Sequence, residues 1–280
     1  MEELDINDVR GIDDPVERAR VAGELGARHT NLGNVLYRIR REALFQMRDR
    51  LHMRNTTIAT MLGYSPQRVS ALLNSGMPVE GAFLGDGPIT VVMGHKPSAD
   101  QRGSGRLVAQ EDHTAYAQLA ELASDMRMEI GSEVVDPPCN VNLNRPNLIV
   151  MTGPRLALNV GEILSRDSHI RFDQDDKGWH LVDVETGTVY RSPMDAGKNA
   201  DFAWFGRILR PDKQGTFLYA AGIHAMGESG VVHLLRNELP DLYAELGRRP
   251  FSSIVSCRFD EKTLEVINSQ RVTPPYVSEK

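Results

Sequence analysis

Two sets of residues have types and spacings suited to chemistry. The first lies in residues 55–74. There Gln67, Arg68, Ser70, Ala71 and Asn74 fall on the polar side of a short expected helix, with Ser65 at its start. A short helix that presents amide, guanidinium and hydroxyl groups outward is suited to entering a major groove. The second set lies in two stretches that each join an apolar run to a helix through small residues. One is Met151-Thr-Gly-Pro-Arg-Leu-Ala-Leu-Asn, with Thr152, Gly153, Arg155 and Asn159. The other is Ala221-Gly-Ile-His-Ala-Met-Gly-Glu-Ser-Gly, with Gly222, His224, Gly227, Ser229 and Gly230. Gly94, His95 and Lys96 form a third such edge. At the carboxyl ends of parallel strands, free N–H groups in such loops point into the crevice, and a helix start favours an anion. The implied ligand is a nucleotide or another phosphorylated or acidic small molecule. His224, on a loop, is a candidate for ligand contact or acid–base work. The same glycines also suit tight turns and helix–sheet packing. Neither loop has the Gly-x-Gly-x-x-Gly or Walker spacing, and no Gly-x-Ser-x-Gly, paired-cysteine or His-x-x-x-His pattern occurs.

These residues need elements to hold them. Residues 55–74 read as a helix-turn-helix. Ala59 is small where two helices would cross, Gly63 suits a positive φ in the turn, Ser65 is an N-cap, and Pro66 fits the first helical position. Ile58, Leu62, Val69 and Leu72 or Leu73 supply the inward apolar positions. Proteins that bind no DNA also use this hairpin of helices. Upstream, Asp14 caps a helix opened by Pro15, and apolar residues recur from Val21 and Leu25 to Leu44 and Met47, with an interruption expected near Gly33. Arg38, Arg40, Arg41, Arg48, Arg50 and Arg54 then lead into the motif as candidates for phosphate contacts. Residues 14–32 are a candidate dimerisation helix.

Charge separates the chain into parts. The net charge is −6, yet residues 18–76 hold ten Arg, three acids and no Lys, for +7. Residues 1–17 carry seven acids and one Arg. A basic module on an acidic chain fits phosphate attraction confined to one domain. No run of eighteen apolar residues exists and the start is acidic, so neither a membrane span nor a secretory signal is expected. Cys139 and Cys257 lack metal-type spacing and read as reduced thiols in a cytoplasmic protein.

The expected organisation is a flexible acidic arm over residues 1–13, a helical domain over 14–76, a linker over 77–84 and an α/β domain over 85–280. In the last, apolar strands at 89–93, 148–151 and 216–221 alternate with helices at 111–127, 157–164 and 230–246. A hairpin or meander is inserted at 169–192, and two strands close the chain. This pattern argues for an open, mainly parallel, Rossmann-like sheet. Trp179 and Trp204 read as packing residues, Glu111-Asp-His113 as a helix cap, and Asp195 and Asp201 as loop residues.

Asp14-Pro-Val-Glu-Arg-Ala-Arg, Arg38-Ile-Arg-Arg-Glu-Ala-Leu and the stretch from Thr57 to Leu73 carry a resemblance. Together residues 14–74 are similar to actinobacterial regulatory proteins whose DNA-binding part is like region four of sigma factors. The resemblance implies a trihelical helix-turn-helix domain. It also places Gln67, Arg68 and Ala71 near base edges, and Arg54, Thr56 and Thr57 near phosphates. Regions two and three of a sigma factor have no counterpart, which favours a repressor or activator over promoter melting. Residues 85–280 resemble uncharacterised Rossmann-like sensor domains fused to such modules. The resulting expectation is a homodimeric regulator that binds double-stranded DNA and senses a small anionic or nucleotide-like ligand, with no membrane partner. The alternative is an enzyme that cleaves a glycosidic or phosphoryl bond of a nucleotide, with the helical domain as a targeting module.

Overall fold

The computed structural model describes residues 6–74, 78–94, 110–136 and 140–278. The chain forms two compact units, Met1–Val79 and Glu80–Lys280.

The first unit is helical. Helix α1 (Ile6–Arg10) lies where an acidic arm was expected, and its Val9 is buried. Helix α2 (Pro15–Phe45) is capped by Asp14, whose carboxylate accepts from the Val16 N–H at 3.0 Å. It runs through Gly33 without a break. A glycine inside a helix costs only about 1 kcal/mol relative to alanine, less than ending so long a helix would cost. A π-helical turn, Gln46–Arg50, closes it.

Helix α3 (Asn55–Leu62) ends at Gly63, which takes φ 67°. Two further residues lead to helix α4 (Pro66–Asn74). The Ser65 hydroxyl accepts from the Arg68 N–H at 3.1 Å and so caps α4. Leu44, Ile58, Ala59, Val69 and Leu73 form the core between α2, α3 and α4. Leu62, expected inside, is 38% exposed, and Leu44 from α2 contributes to that core instead. Ser65→Ala should lower the stability of this unit by about 1 kcal/mol, read as a shift in its urea midpoint. An unchanged midpoint would show that the cap carries no weight.

The second unit begins at once. Val79–Phe83, inside the expected linker, is a 3-10 helix. Ala82, Phe83 and Leu84 are buried, and Phe83 lies 6.0 Å from the Phe251 ring, so this stretch is core rather than tether.

Strand β1 (Ile89–Gly94) leads to helix α5 (Gln110–Asp125) and strand β2 (Ile130–Val135). Strand β3 (Leu148–Met151) then returns to the other side of β1 and is followed by helix α6 (Leu158–Leu164). Strands β4 (Ile170–Asp175), β5 (Gly178–Asp183) and β6 (Thr188–Arg191) form a separate antiparallel meander, inside the region expected for one. Strands β7 (Ala200–Leu209) and β8 (Thr216–Gly222) precede helix α7 (Ala225–Leu246). Strands β9 (Phe251–Phe259), β10 (Val266–Arg271) and β11 (Tyr276–Val277) close the chain.

The large sheet runs β10-β9-β7-β8-β3-β1-β2, with β11 paired to β9. Strands β2, β1, β3 and β8 are parallel to their neighbours in that order. Strands β7, β9, β10 and β11 pair antiparallel. In the parallel half, β1, β3 and β8 are the buried apolar strands that a two-sided cover requires, whereas the edge strand β2 is largely exposed. Helices α5 and α7 pack together, and α7 lies on one face of the sheet. Val160 and Leu164 of α6, with Ile170 and Leu181 of the meander, join Val150, Trp204, Tyr219 and Ile254 in a core on the other. Among the described residues no helix is long and apolar enough to cross a membrane.

Candidate functional site

In the first unit, Gln67, Arg68 and Ala71 are exposed on α4, and Ser70 is half-buried. Asn74 ends α4, and its side chain lies outside the described residues. The Arg68 guanidinium lies 4.9 Å from the centre of the Tyr64 ring, a contact that steadies the side chain without neutralising its charge. Thr56 and Thr57 are exposed in the first turn of α3, whose N-cap Arg54 makes no side-chain cap bond.

The upstream arginines divide. Arg41 donates to the Leu73 carbonyl at the end of α4 through Nε at 3.0 Å and Nη2 at 2.7 Å. Arg48 pairs with Asp49 at 2.6 Å and lies over Phe45. Both serve the fold. Arg50 and Arg54 are exposed, Arg40 lies over the Tyr37 ring, and the side chain of Arg38 is outside the described residues.

In the second unit, β1 lies between β2, reached through α5, and β3. This reversal of direction is where open α/β sheets form a crevice at the carboxyl ends of their strands. A cleft does lie there. Its wall includes Gly94 at the end of β1, Thr152, Gly153 and Arg155 after β3, and Gly222 and His224 after β8. Both glycine stretches thus meet at one cleft. His95 and Lys96 lie outside the described residues.

The remaining expected ligand residues do not line it. Asn159 uses its amide on Val141, donating to the carbonyl at 2.7 Å and accepting from the N–H at 3.2 Å. Gly227, Ser229 and Gly230 are buried in α7, which starts at Ala225 rather than near residue 230. Gly230 is a packing glycine, because a Cβ there would lie 2.5 Å from the Cys257 Cβ.

The early start of α7 has a cause. Asp201, on β7 and fully buried, points its carboxylate at the helix start. Oδ2 accepts from the His224 N–H at 2.9 Å and the Gly227 N–H at 2.8 Å, while Oδ1 accepts from the Ser192 hydroxyl at 2.6 Å. Burial pushes the Asp201 carboxyl up to about 6, against these bonds and the nearby His224, which favour the charged form. Helix α7 therefore already holds an anion, and it is the protein's own. Asp201, expected to be a loop residue, is its N-terminal anchor.

Three further features complete the cleft. Asp112, expected only to cap α5, and Glu228, in the first turn of α7, both line it and are buried. Thr152 is 2% exposed, and its Oγ1 has no hydrogen-bond partner. Phe172 and Trp179, half-buried on the meander, form an aromatic pair with centroids 5.6 Å apart on the same wall. His224 stands at the rim with Nε2 2.8 Å from Asp195. The cleft encloses about 30 Å³ and opens to solvent, so in this conformation it is far smaller than the roughly 300–1,000 Å³ of small-molecule sites.

A second cavity of about 320 Å³ borders Trp204 to Arg210 and is lined largely by apolar groups. Trp204 is buried, whereas Trp179 faces the cleft. Cys257 is buried, and its thiol is pushed up to about 12 by burial, so it is unreactive at neutral pH. Cys139 lies outside the described residues. Among the described residues no group of His, Cys, Asp and Glu is placed to hold a metal ion.

The chain matches no protein-family model, no curated protein and no solved structure.

Proposed function

We propose that the chain is a DNA-binding transcriptional regulator whose second unit senses a small nucleotide-like ligand. One observation carries the DNA reading. Helix α4 turns Gln67, Arg68 and Ala71 outward, in a stretch where ten Arg outweigh three acids on an otherwise acidic chain. Among the described residues the Gln67 and Arg68 side chains make no hydrogen bond, so they are available to base edges in a major groove, with Arg54, Thr56 and Thr57 beside the phosphates.

Gel shifts against genomic fragments test this. Arg68→Ala should weaken the specific complex about tenfold or more, as one lost base contact does, while leaving non-specific binding nearly unchanged. If no fragment binds better than bulk DNA, the reading fails.

A homodimer fits the same reading. On α2, Val21, Leu25 and Ile39 recur at spacings of four and fourteen, as on a coiled-coil seam, and Leu36, Tyr37 and Ile39 are more than half exposed. A monomer in sedimentation equilibrium at micromolar concentration would exclude it.

The second unit contributes the cleft at the β1/β3 reversal, where a ligand can exert control only by binding the DNA-competent and incompetent states unequally. The buried carboxylates Asp112 and Glu228 on its wall favour one further reading, a nucleotide-processing enzyme with acid–base groups at a glycosidic bond. Incubation with nicotinamide dinucleotide and nucleoside triphosphates separates the two. Released base or phosphate supports the enzyme, and binding without turnover supports the sensor.

A further inference from the structure

We infer that the second unit holds a separate pocket for a small carboxylic acid with an apolar body, in the cavity bordered by Trp204, Ile208 and Phe251. This pocket shares no bordering residue with the strand-end cleft and does not rest on the reading of that cleft.

The cavity holds about 320 Å³, against about 30 Å³ for the cleft. That falls in the lower part of the roughly 300–1,000 Å³ range of small-molecule sites. Its floor is apolar. Leu164 of α6, Trp204 of β7 and Phe251 of β9 are buried there, with Ile163 and Ile208 half-buried beside them. Trp204 is held in place, because its ring lies so close over Gly206 that a Cβ there would come 2.6 Å from it. Its other neighbour is the Tyr219 ring, edge-on, with centroids 5.2 Å apart. A fixed floor of this kind favours an apolar body over water.

Charge then selects among apolar ligands. Arg166 after α6, with Arg210 and Lys213 at the β7–β8 turn, border the cavity on a chain whose net charge is −6. Arg210 is paired with Asp212 at 2.9 Å. Asp167, an acid on the same wall, turns Oδ1 to the His169 and Ile170 N–H groups at 2.8 and 3.3 Å. Arg166 and Lys213 are exposed, and among the described residues neither pairs with an acid. They can hold an anion at the mouth. The last turn of α6 adjoins the same space, and the weakly negative end of a helix favours one charge on the ligand over the two of a phosphate.

A fourth cation stands behind the wall. Strand alternation puts the Arg207 side chain on the face of β7 opposite Trp204 and Ile208. There it is 6% exposed, donates to the Phe83 carbonyl and to the Thr216 hydroxyl, and lies 5.2 Å from the Phe83 ring. Both oxygens are neutral. Burial pulls the guanidinium down to about 10, so it stays charged at neutral pH. A buried charge with neutral partners extends its field into the adjoining space, where an anion would balance it. Two polar atoms of the bordering residues are buried without a partner, Trp204 Nε1 and Arg207 Nε, and both are donors. A carboxylate brings acceptors alone.

The test uses the full chain and calorimetric titration with benzoate, cinnamate, indole-3-acetate, hexanoate and octanoate, each against its uncharged amide. We expect at least one acid to bind, and its amide to bind about tenfold more weakly or worse, as the loss of one charge-assisted contact implies. Arg166→Gln combined with Lys213→Gln should weaken that acid several-fold. It should leave the amide and the melting temperature unchanged, since both side chains are exposed. Ile163→Trp, which fills the cavity, should abolish binding of acid and amide alike. An acid that binds Ile163→Trp undiminished is seated elsewhere and overturns the pocket. An amide that binds as tightly as its acid, or an acid indifferent to the loss of Arg166 and Lys213, overturns the recognition of a carboxylate. No binding by any acid at millimolar concentration overturns the inference outright. Each of these results leaves the strand-end cleft, which nucleotides test, as it stood.

Discussion

Gly227→Ala is expected to lower the unfolding free energy of the second unit by about 3 kcal/mol or more, at or beyond the upper end for overpacked cores. A Cβ at Gly227 would lie 2.6 Å from the Gly222 Cα, 2.6 Å from the Phe202 carbonyl oxygen and 3.0 Å from Asp201 Oδ2. Two of these atoms are backbone and the third belongs to the carboxylate that anchors α7. None can step aside by turning a flexible side chain. Gly153→Ala is the control, because nothing lies within 4 Å of a Cβ there. Urea unfolding followed by the emission of buried Trp204 reads this unit. A Gly227→Ala midpoint equal to that of wild type would mean that α7 and the end of β8 are less closely packed than the structure shows.

Asp201 should give a second large effect, with opposite outcomes for two substitutions. Asp201→Ala leaves the Ser192 hydroxyl and the His224 and Gly227 N–H groups without their acceptor. Each buried orphan costs about 1–3 kcal/mol, so a loss of several kcal/mol is expected. In Asp201→Asn the amide oxygen can still accept from both N–H groups while its NH₂ donates to Ser192. The pH dependence follows from a carboxyl that burial holds at about 6 in the fold. The folded state then binds this proton more tightly than the unfolded chain. Asp201's contribution is therefore greatest below the unfolded value near 4 and falls as pH rises through about 6. A shift of about two units corresponds to roughly 3 kcal/mol. The asparagine variant should match wild type near pH 4 and exceed it near pH 7.5. If both variants weaken the protein equally at neutral pH, the carboxylate is worth more ionised than its burial implies.

The legibility of the sequence follows the range of the forces involved. Gly63 in its left-handed turn, Ser65 at its cap and Pro66 at its first turn depend on neighbours within a few residues, and all three read directly from the chain. The meander likewise falls between its glycine turns. Gly33 misled because local propensity is weak beside the length of α2. Leu62 misled because α3 turns Ile58 and Ala59 inward, into a core shared with Leu44 of α2, and leaves Leu62 partly exposed. The start of α7 is set by a carboxylate more than twenty residues earlier, so the glycines of residues 222–230 looked like an open loop.

The candidate cleft was half legible. Thr152, Gly153, Arg155, Gly222 and His224 lie where strand-end glycines pointed. Asp112 and Glu228 did not stand out, since an acid near a helix start is ordinarily a solvated cap. Glu228 did leave one sign, an acid among Ala, Met, Gly and Ser in a stretch with no other charge. Trp179 was passed over because an aromatic on a hairpin is usually packing.

One small contact has a mechanical meaning. The Arg41 guanidinium grips the last turn of α4 by the Leu73 carbonyl, through two N–H groups, from within α2. The short helix cannot swivel on its three-residue turn while that grip holds. The first unit is then a lever with a fixed elbow: whatever tilts the long arm carries Gln67 and Arg68 through the same angle.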